Sequence, residues 1–248
     1  MRLNKHIAET GYCSRREADR LIAEKRVTVN GKAAGIGTQV EEGDEVLVDG
    51  HALLARKAGA KGRKHVYIAL NKPRGLVTTA SDERGRDTVY RCLDGAGLPW
   101  LGPVGRLDKA SEGLLLFCND PQWAARITDP AHGPGKTYHV QVDRIADDAL
   151  IAPLVAGVIA DDGLLRASAA RVLRTGTRNA WLEIELHEGR NRQIRRLLAA
   201  FDVGVLRLVR VAIGAVALGE LPKGAWRLLR EDEVQALAGA TRASTQAG

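Results

Sequence analysis

Three short segments of this 248-residue chain hold the residue types that chemistry needs. Gly105-Arg106-Leu107-Asp108 sets an arginine and an aspartate two apart, in a glycine-bounded turn that Gly113 closes, around the start of the apolar run LLLFC. Lys136-Thr137-Tyr138 enters a strand-like stretch. EGRNRQIRRLL crowds Arg190, Arg192, Arg195 and Arg196 into seven positions. A carboxylate can act as a nucleophile or as a base, and a guanidinium beside it lowers its pKa and fixes its orientation. The other reading of Asp108 is a plain capping carboxylate.

The arginine segment predicts a helix from near Asn191. Arg192, Arg195 and Arg196 would then fall at i, i+3 and i+4 on one face, with Ile194, Leu197 and Leu198 holding the other face to the core. Positive charge at a helix start opposes the macrodipole, so an anion opposite, a carboxylate or phosphates, would explain it. A solvated arginine face is the alternative.

Other chemical signatures fail on context. Gly135-Lys136-Thr137 has the ending of a phosphate-binding loop, but Pro130 stands where its first glycine is needed, and a strand-like YHVQV follows instead of a helix. His187-Glu188 starts like a zinc-protease helix, but Asn191 occupies the second histidine position. The six histidines show no ligand spacing, so no metal is expected. Gly95-Ala96-Gly97 is too short for a dinucleotide fingerprint, and there is no serine nucleophile elbow.

The elements that would position these residues divide into two parts. In residues 1–50, Leu3, Ile7 and Ala8 fall at helical spacing up to Gly11. Ser14 and Glu17 fit a capping box for a second helix, which buries Ala18, Leu21 and Ile22. Arg16 and Arg20 share another face of it, with Arg15 beside them, as either an RNA-facing or a solvated surface. Val27 and Val29 alternate into Asn30-Gly31, a hairpin signal, and QVEEGDEVLVDG predicts another strand pair around Gly43. Residues 51–64 lose periodicity, carry Arg56, Lys57, Lys61, Arg63 and Lys64 with no acid, and read as a flexible basic linker.

From Val66 the pattern changes. Val66, Ile68 and Leu70 alternate as a strand ending in a Lys72-Pro73-Arg74-Gly75 turn. Strand-like runs recur at LLLFC, TYHVQV, ARVLR, WLEIEL, VLRLVRVAIG and WRLL, and helices are expected near 121–128, 146–157, 191–201 and 231–238. Adjacent strands outnumber strand-helix-strand units, so residues 65–238 predict an α+β domain with a mainly antiparallel mixed sheet. Residues 239–248 are small and polar and read as a disordered tail.

Composition narrows the partner. Net charge is +7, which favours a polyanion, nucleic acid before membrane surface. With 45% hydrophobic but only 4% aromatic residues, the core must be built from Leu, Val, Ile and Ala. Cys13, Cys92 and Cys118 are scattered, against a disulfide framework. The start lacks an apolar signal region and no run approaches ~20 apolar residues, so a cytoplasmic protein without a membrane span is expected.

Four segments together resemble the RsuA-like branch of pseudouridine synthases: NKPRG at 71–75, GRLDKASEG at 105–113, KTYHV at 136–140 and EGRNRQIRR at 188–196. Their order and approximate spacing match the family. The first 50 residues resemble the small S-four-type RNA-binding domain that commonly precedes its catalytic domain, and RLNKHIAETGYCSRREADRLI is closest to RluF-like, large-subunit members. The resemblance runs from Arg2 to about Leu229. One departure is Ser111, where the family often has threonine; the hydroxyl is kept.

The resemblance implies isomerisation of a uridine within RNA to pseudouridine, with no cofactor or metal. It implies Asp108 as the catalytic aspartate, as nucleophile or base, and Arg195 as its basic partner. It implies Tyr138 as the ring stacked on the target base and Arg106 as the side chain entering the RNA where the uridine leaves. Lys72 is expected as an RNA contact, together with Arg192 and Arg196, and Ile194 and Leu197 as packing below the site. Arg15, Arg16 and Arg20 would bind RNA through the first domain. The expected partner is large-subunit ribosomal RNA, with small-subunit or transfer RNA as alternatives, and a monomer is the default. Two competing classes are a non-catalytic ribosome-assembly factor, which would not need Asp108, and an RNA methyltransferase, which would need a glycine-rich cofactor loop absent here.

Overall fold

The computed structural model describes all residues except 11, 14, 54–64, 80–84 and 240–248. The expected stop at Gly11, the Ser14 cap, most of the basic linker and nearly all of the tail therefore lie outside the described residues. The chain divides into two units, Met1–Val66 with Asp94–Gly102, and Tyr67–Leu93 with Pro103–Gly248.

In the first unit, α1 (Leu3–Glu9) and α2 (Arg15–Ala23) precede four short strands, β1 (Val27–Val29), β2 (Lys32–Ala33), β3 (Val46–Val48) and β4 (His51–Ala52). They form a sheet in the order β2-β1-β3-β4. Leu3, Ile7, Ala18, Leu21 and Ile22 from the helices meet Val27, Val46 and Val48 in one core. Asn30 and Gly31 both have positive φ, 51° and 75°, the backbone of a two-residue hairpin turn matched to strand twist.

The second strand pair does not form around Gly43. It forms around Asp49-Gly50, whose φ values of 52° and 76° repeat the same turn. Gly43 lies in a separate turn, where the Asp44 carboxylate accepts from the Glu41 amide at 2.8 Å. The unit also runs past residue 50: β4 pairs with β3, and the Leu53 amide donates to Val46 O at 2.7 Å. The linker therefore cannot begin at residue 51.

The second unit contains β5 (Tyr67–Lys72), a 3₁₀ turn at Val89–Leu93, β7 (Glu112–Cys118), α3 (Pro121–Thr128), β8 (Lys136–Val142) and α4 (Asp148–Ala156). Between the turn and β7 comes β6 (Gly102–Val104). A hairpin of β9 (Val158–Ala160) and β10 (Gly163–Leu165) follows α4. Then come β11 (Ala169–Thr175), β12 (Ala180–Leu186), α5 (Gln193–Ala199), β13 (Val205–Ile213), β14 (Val216–Ala217), β15 (Trp226–Leu228) and α6 (Glu231–Gly239).

The large sheet runs β11-β12-β8-β13-β7-β5-β15, with β14 beside β13. Within that order only β13 and β7 are parallel. Strands β5 and β7 are interior strands, buried almost throughout, so β5 does not alternate in and out as its sequence predicts. Helices α3 and α6 cover one face there, with Trp123, Ile127 and Leu237 packed on Ala69, Leu114 and Leu116. Asp120 caps α3 through the amides of Gln122 and Trp123, with Pro121 at the first helical position.

Register sets one row of residues across the sheet. Lys72 pairs with Gly113, Gly113 with Arg210, Arg210 with Tyr138, and Tyr138 with Ile184. Cross-strand partners share a face, so these five positions line the same side.

Candidate active site

The Asp108 loop is pinned on both sides of the carboxylate. Gly105 takes a left-handed φ of 75°, and the chain then buries Leu107. The Thr78 hydroxyl donates to Leu107 O at 2.7 Å and accepts from the Leu107 amide at 3.3 Å. The Ser111 amide donates to Asp108 O at 3.0 Å, and the Gly75 amide to Lys109 O at 2.7 Å. The loop runs straight into strand β7, so Asp108 caps no helix. Its side chain keeps 35% of its exposure, and Arg192 Nη1 stands 3.8 Å from its Oδ2.

Gly113 does not close this turn. It is the second residue of β7, with φ 100°, and a Cβ there would stand 2.3 Å from Arg210 O and 2.8 Å from Arg210 N. The missing side chain lets β13 approach β7 and brings Arg210 between Gly113 and Tyr138 in the row. Arg210 is itself buried and donates through Nε to Leu114 O at 2.7 Å.

Lys72, expected as an RNA contact, is buried instead. It is 0% exposed, at the end of the interior strand β5, and its Nζ donates to Ser111 O at 2.8 Å and Pro73 O at 3.1 Å. It ties the end of the Asp108 loop to β5. Burial pushes its pKa down to about 8, against the pull of the Asp108 charge. The unfolded chain holds this proton up to its ordinary pKa of 10.5. Between about pH 8 and 10.5 the unfolded state therefore binds more protons, and stability rises with pH. Lys136, also pushed down to about 8 by burial, adds to the same slope. In Lys72→Met the slope of unfolding free energy against pH across this window should fall by up to about 1.4 kcal/mol per pH unit. Urea titrations of native and variant protein measure it, and equal slopes would show that Lys72 titrates normally in the fold.

The arginine segment departs from its expected geometry. Helix α5 starts at Gln193, and Arg192 stands before it in a left-handed conformation, φ 49° and ψ 33°. The three arginines consequently reach different partners. Arg192 faces Asp108. Arg195 donates to Val205 O at 3.2 Å and Ala110 O at 3.4 Å; burial lowers its pKa, as does Arg192, while the Asp108 charge raises it. Its buried Nε has no partner among the described residues. Arg196 binds the Asp162 carboxylate, with Nη1 to Oδ2 at 3.0 Å and Nη2 to Oδ1 closer still. Among the described residues the guanidinium that pairs with Asp108 is that of Arg192, whereas Arg195 bonds backbone carbonyls. Ile194 and Leu197 are buried beneath the segment.

Tyr138 is 8% exposed, between Arg210 and Ile184 in the row. Arg106 is exposed on the loop. In the first unit Arg15, Arg16 and Arg20 are exposed, and Arg20 also pairs with Glu17 on its own helix and with Glu24 just beyond it. Among the described residues no group of His, Cys, Asp and Glu side chains could hold a metal ion, and no helix is long and apolar enough to cross a membrane.

A pinned carboxylate, a guanidinium beside it and a tyrosine on the adjoining sheet lie on segments that a known family shares. Residues 66–200 match the family model described as RNA pseudouridylate synthase. The chain belongs to this family. Residues 1–46 match the S4 domain. An uncharacterized RNA pseudouridine synthase of Aquifex aeolicus is 37% identical over 96% of this chain and 93% of its own length. One from Mycobacterium bovis is 39% identical over 94% and 91%. The dual-specificity RNA pseudouridine synthase RluF of Salmonella typhi is 39% identical, over 94% of this chain and 77% of its own length. Among solved structures, a pseudouridylate synthase matches with a TM-score of 0.64 at 32% identity, covering 96% of this chain and 99% of that one. This pseudouridine synthase is thus an isomerase acting on RNA, built as an S4 domain followed by a catalytic domain.

Proposed function

We propose that this pseudouridine synthase isomerises a uridine of large-subunit ribosomal RNA with Asp108 as the catalytic carboxylate. The observation that carries the assignment is the loop around Asp108. Thr78, Gly75 and Lys72 bind its backbone, while the carboxylate stays open beside Arg192. A positioned carboxylate has two routes. As a nucleophile it attacks C1′ of the target uridine as the C1′–N1 bond breaks. As a base it removes a sugar proton and leaves a glycal-like intermediate. In either case the freed uracil turns and its C5 bonds to C1′, displacing the Asp108 oxygen on the first route and with the sugar proton returned by Asp108 on the second; the C5 proton then leaves and N1 regains a proton. Atoms balance without an outside reactant.

Arg192 beside the carboxylate and Arg195 bonded to the same loop place positive charge next to it. Tyr138 offers a flat ring to the uracil, which holds the base without fixing its rotation. Arg106, exposed two residues from Asp108, fills the gap that the flipped nucleotide leaves and offsets part of a cost of a few kcal/mol. Arg15 and Arg16 in the S4 domain add phosphate contacts. The RNA-binding and catalytic parts meet in sequence near residue 66, and the basic residues just before that point add to the positive charge offered to RNA.

The large-subunit assignment rests on the resemblance to RluF-like members. Dual-specificity RNA pseudouridine synthases that match 94% of the chain favour a second RNA substrate, and a transfer RNA is the candidate to test. The test is incubation with ribosomal RNA and transfer RNA from cells lacking the endogenous activity. Pseudouridine is mapped by carbodiimide labelling and primer extension. A new stop in large-subunit RNA supports the assignment and names the uridine. A stop only in small-subunit or transfer RNA moves the substrate. No stop in any RNA would favour a non-catalytic assembly factor.

A further inference from the structure

The arginine segment carries two interleaved sets of side chains with different tasks. Residues 192 and 195 turn towards the Asp108 loop. Residues 190, 193 and 196 turn towards the β9–β10 hairpin. Arg190 Nη1 donates to Asp162 O at 2.6 Å, Gln193 Nε2 to Arg166 O at 3.2 Å, and both Nη groups of Arg196 bind the Asp162 carboxylate. Asp162 is at the tip of that hairpin, in the two-residue turn between Ala160 and Gly163. It belongs to none of the four family-like segments.

We propose that Asp162 is a positioning residue for the isomerisation: by holding Arg190 and Arg196 it fixes the start of α5, so that Arg192 and Arg195 meet Asp108 in a productive geometry. The proposal rests on Asp108 being the catalytic carboxylate. Its physical basis is the shortness of α5. A seven-residue helix has no stability of its own, so contacts must set its position. Ile194, Leu197 and Leu198 anchor one side of it. At its start Arg192 is left-handed, and its side chain makes no capping bond. Beyond these anchors and the Arg195 bonds to Val205 O and Ala110 O, rotation of the first turn is restrained by the hairpin bonds. Glu188 reinforces them, accepting from Arg190 Nε at 3.2 Å and Gln193 Nε2 at 2.7 Å. Asp161 adds a further negative charge near Arg196.

The Asp162–Arg196 pair is partly exposed, and such pairs add little to global stability. Misplacement of catalytic groups by about 1 Å can cost on the order of a hundredfold in rate. Asp162→Asn should accordingly lower single-turnover kcat by roughly ten- to a hundredfold while KM and Tm change little. Asp162→Glu, which keeps the carboxylate, should recover most of the rate. The charge-swapped pair Asp162→Arg with Arg196→Asp should recover part of it.

An activity-independent arm follows the Arg192 and Arg195 Nε–H resonances by NMR, which should shift in Asp162→Asn. An unchanged kcat, a loss confined to KM, or unmoved arginine resonances would overturn the proposal. Full activity in Asp108→Asn would instead overturn the catalytic reading, and the resonances would still decide whether Asp162 orders the segment.

Discussion

Asp108→Asn should leave the RNA unmodified. The rate of pseudouridine formation is expected to fall by at least about a thousandfold, because the amide keeps the shape of the carboxylate but can neither attack C1′ nor accept a proton. Fold and RNA binding should survive. The loop is held by backbone bonds to Thr78, Gly75 and Lys72, and none of them involves the Asp108 carboxylate. The substitution weakens only the approach of Arg192, 3.8 Å away. Both groups are partly exposed, so a Tm change of only a few degrees is expected. Single-turnover kinetics with carbodiimide mapping, beside a binding titration, separate the two effects. More than a tenth of native activity in the variant would remove Asp108 from the chemistry. A fall in RNA affinity equal to the fall in rate would make it a binding residue instead.

Gly113→Ala should be the most damaging small substitution in the sheet. An alanine at φ 100° is strained by roughly 1–2 kcal/mol, and its Cβ would meet Arg210 O at 2.3 Å. The obstructing Arg210 atoms are backbone, so relief requires β13 to move from β7, at a further cost of roughly 1–3 kcal/mol. A Tm drop of roughly 10 °C follows. Moving β13 also shifts Arg210 and hence Tyr138, so activity should fall below what the stability change alone explains. Gly75→Ala is the control. Gly75 has nearly the same φ, 102°, but nothing lies within 4 Å of the place its Cβ would take. Equal Tm losses in the two variants would mean that backbone strain, not strand approach, selects glycine at 113.

What the residues alone reveal here is local. Asn30-Gly31 specifies its hairpin because only a few residue types accept two positive φ values in sequence. The cores of α1 and α2, the strands β7, β8, β12 and β13, and the helices α3, α4 and α6 follow from periodicity and caps within a dozen residues. The four family-like segments are short and contiguous, so family, reaction and two-domain order are legible before any contact is known.

Charge placement is not legible in that way. Lys72 stands in a Lys-Pro turn that reads as surface, and its burial depends on β7 and β15, which come from distant parts of the chain. Gly113 reads as a turn residue until the parallel pairing of β7 with β13 places Arg210 against it. Arg192, Arg195 and Arg196 read as one helical face. A left-handed residue before α5 and the carboxylate of Asp162, about thirty positions earlier, separate them into different tasks. The physical reason is common to all three. Periodicity reports which side of an element is apolar, whereas the fate of a charge depends on the donors, acceptors and backbone brought to it from elsewhere in the chain. Sequence alone determined the chemistry this protein is built for; tertiary pairing decided which cation stands beside Asp108, which one is buried beneath its loop, and which one ties the hairpin to the helix.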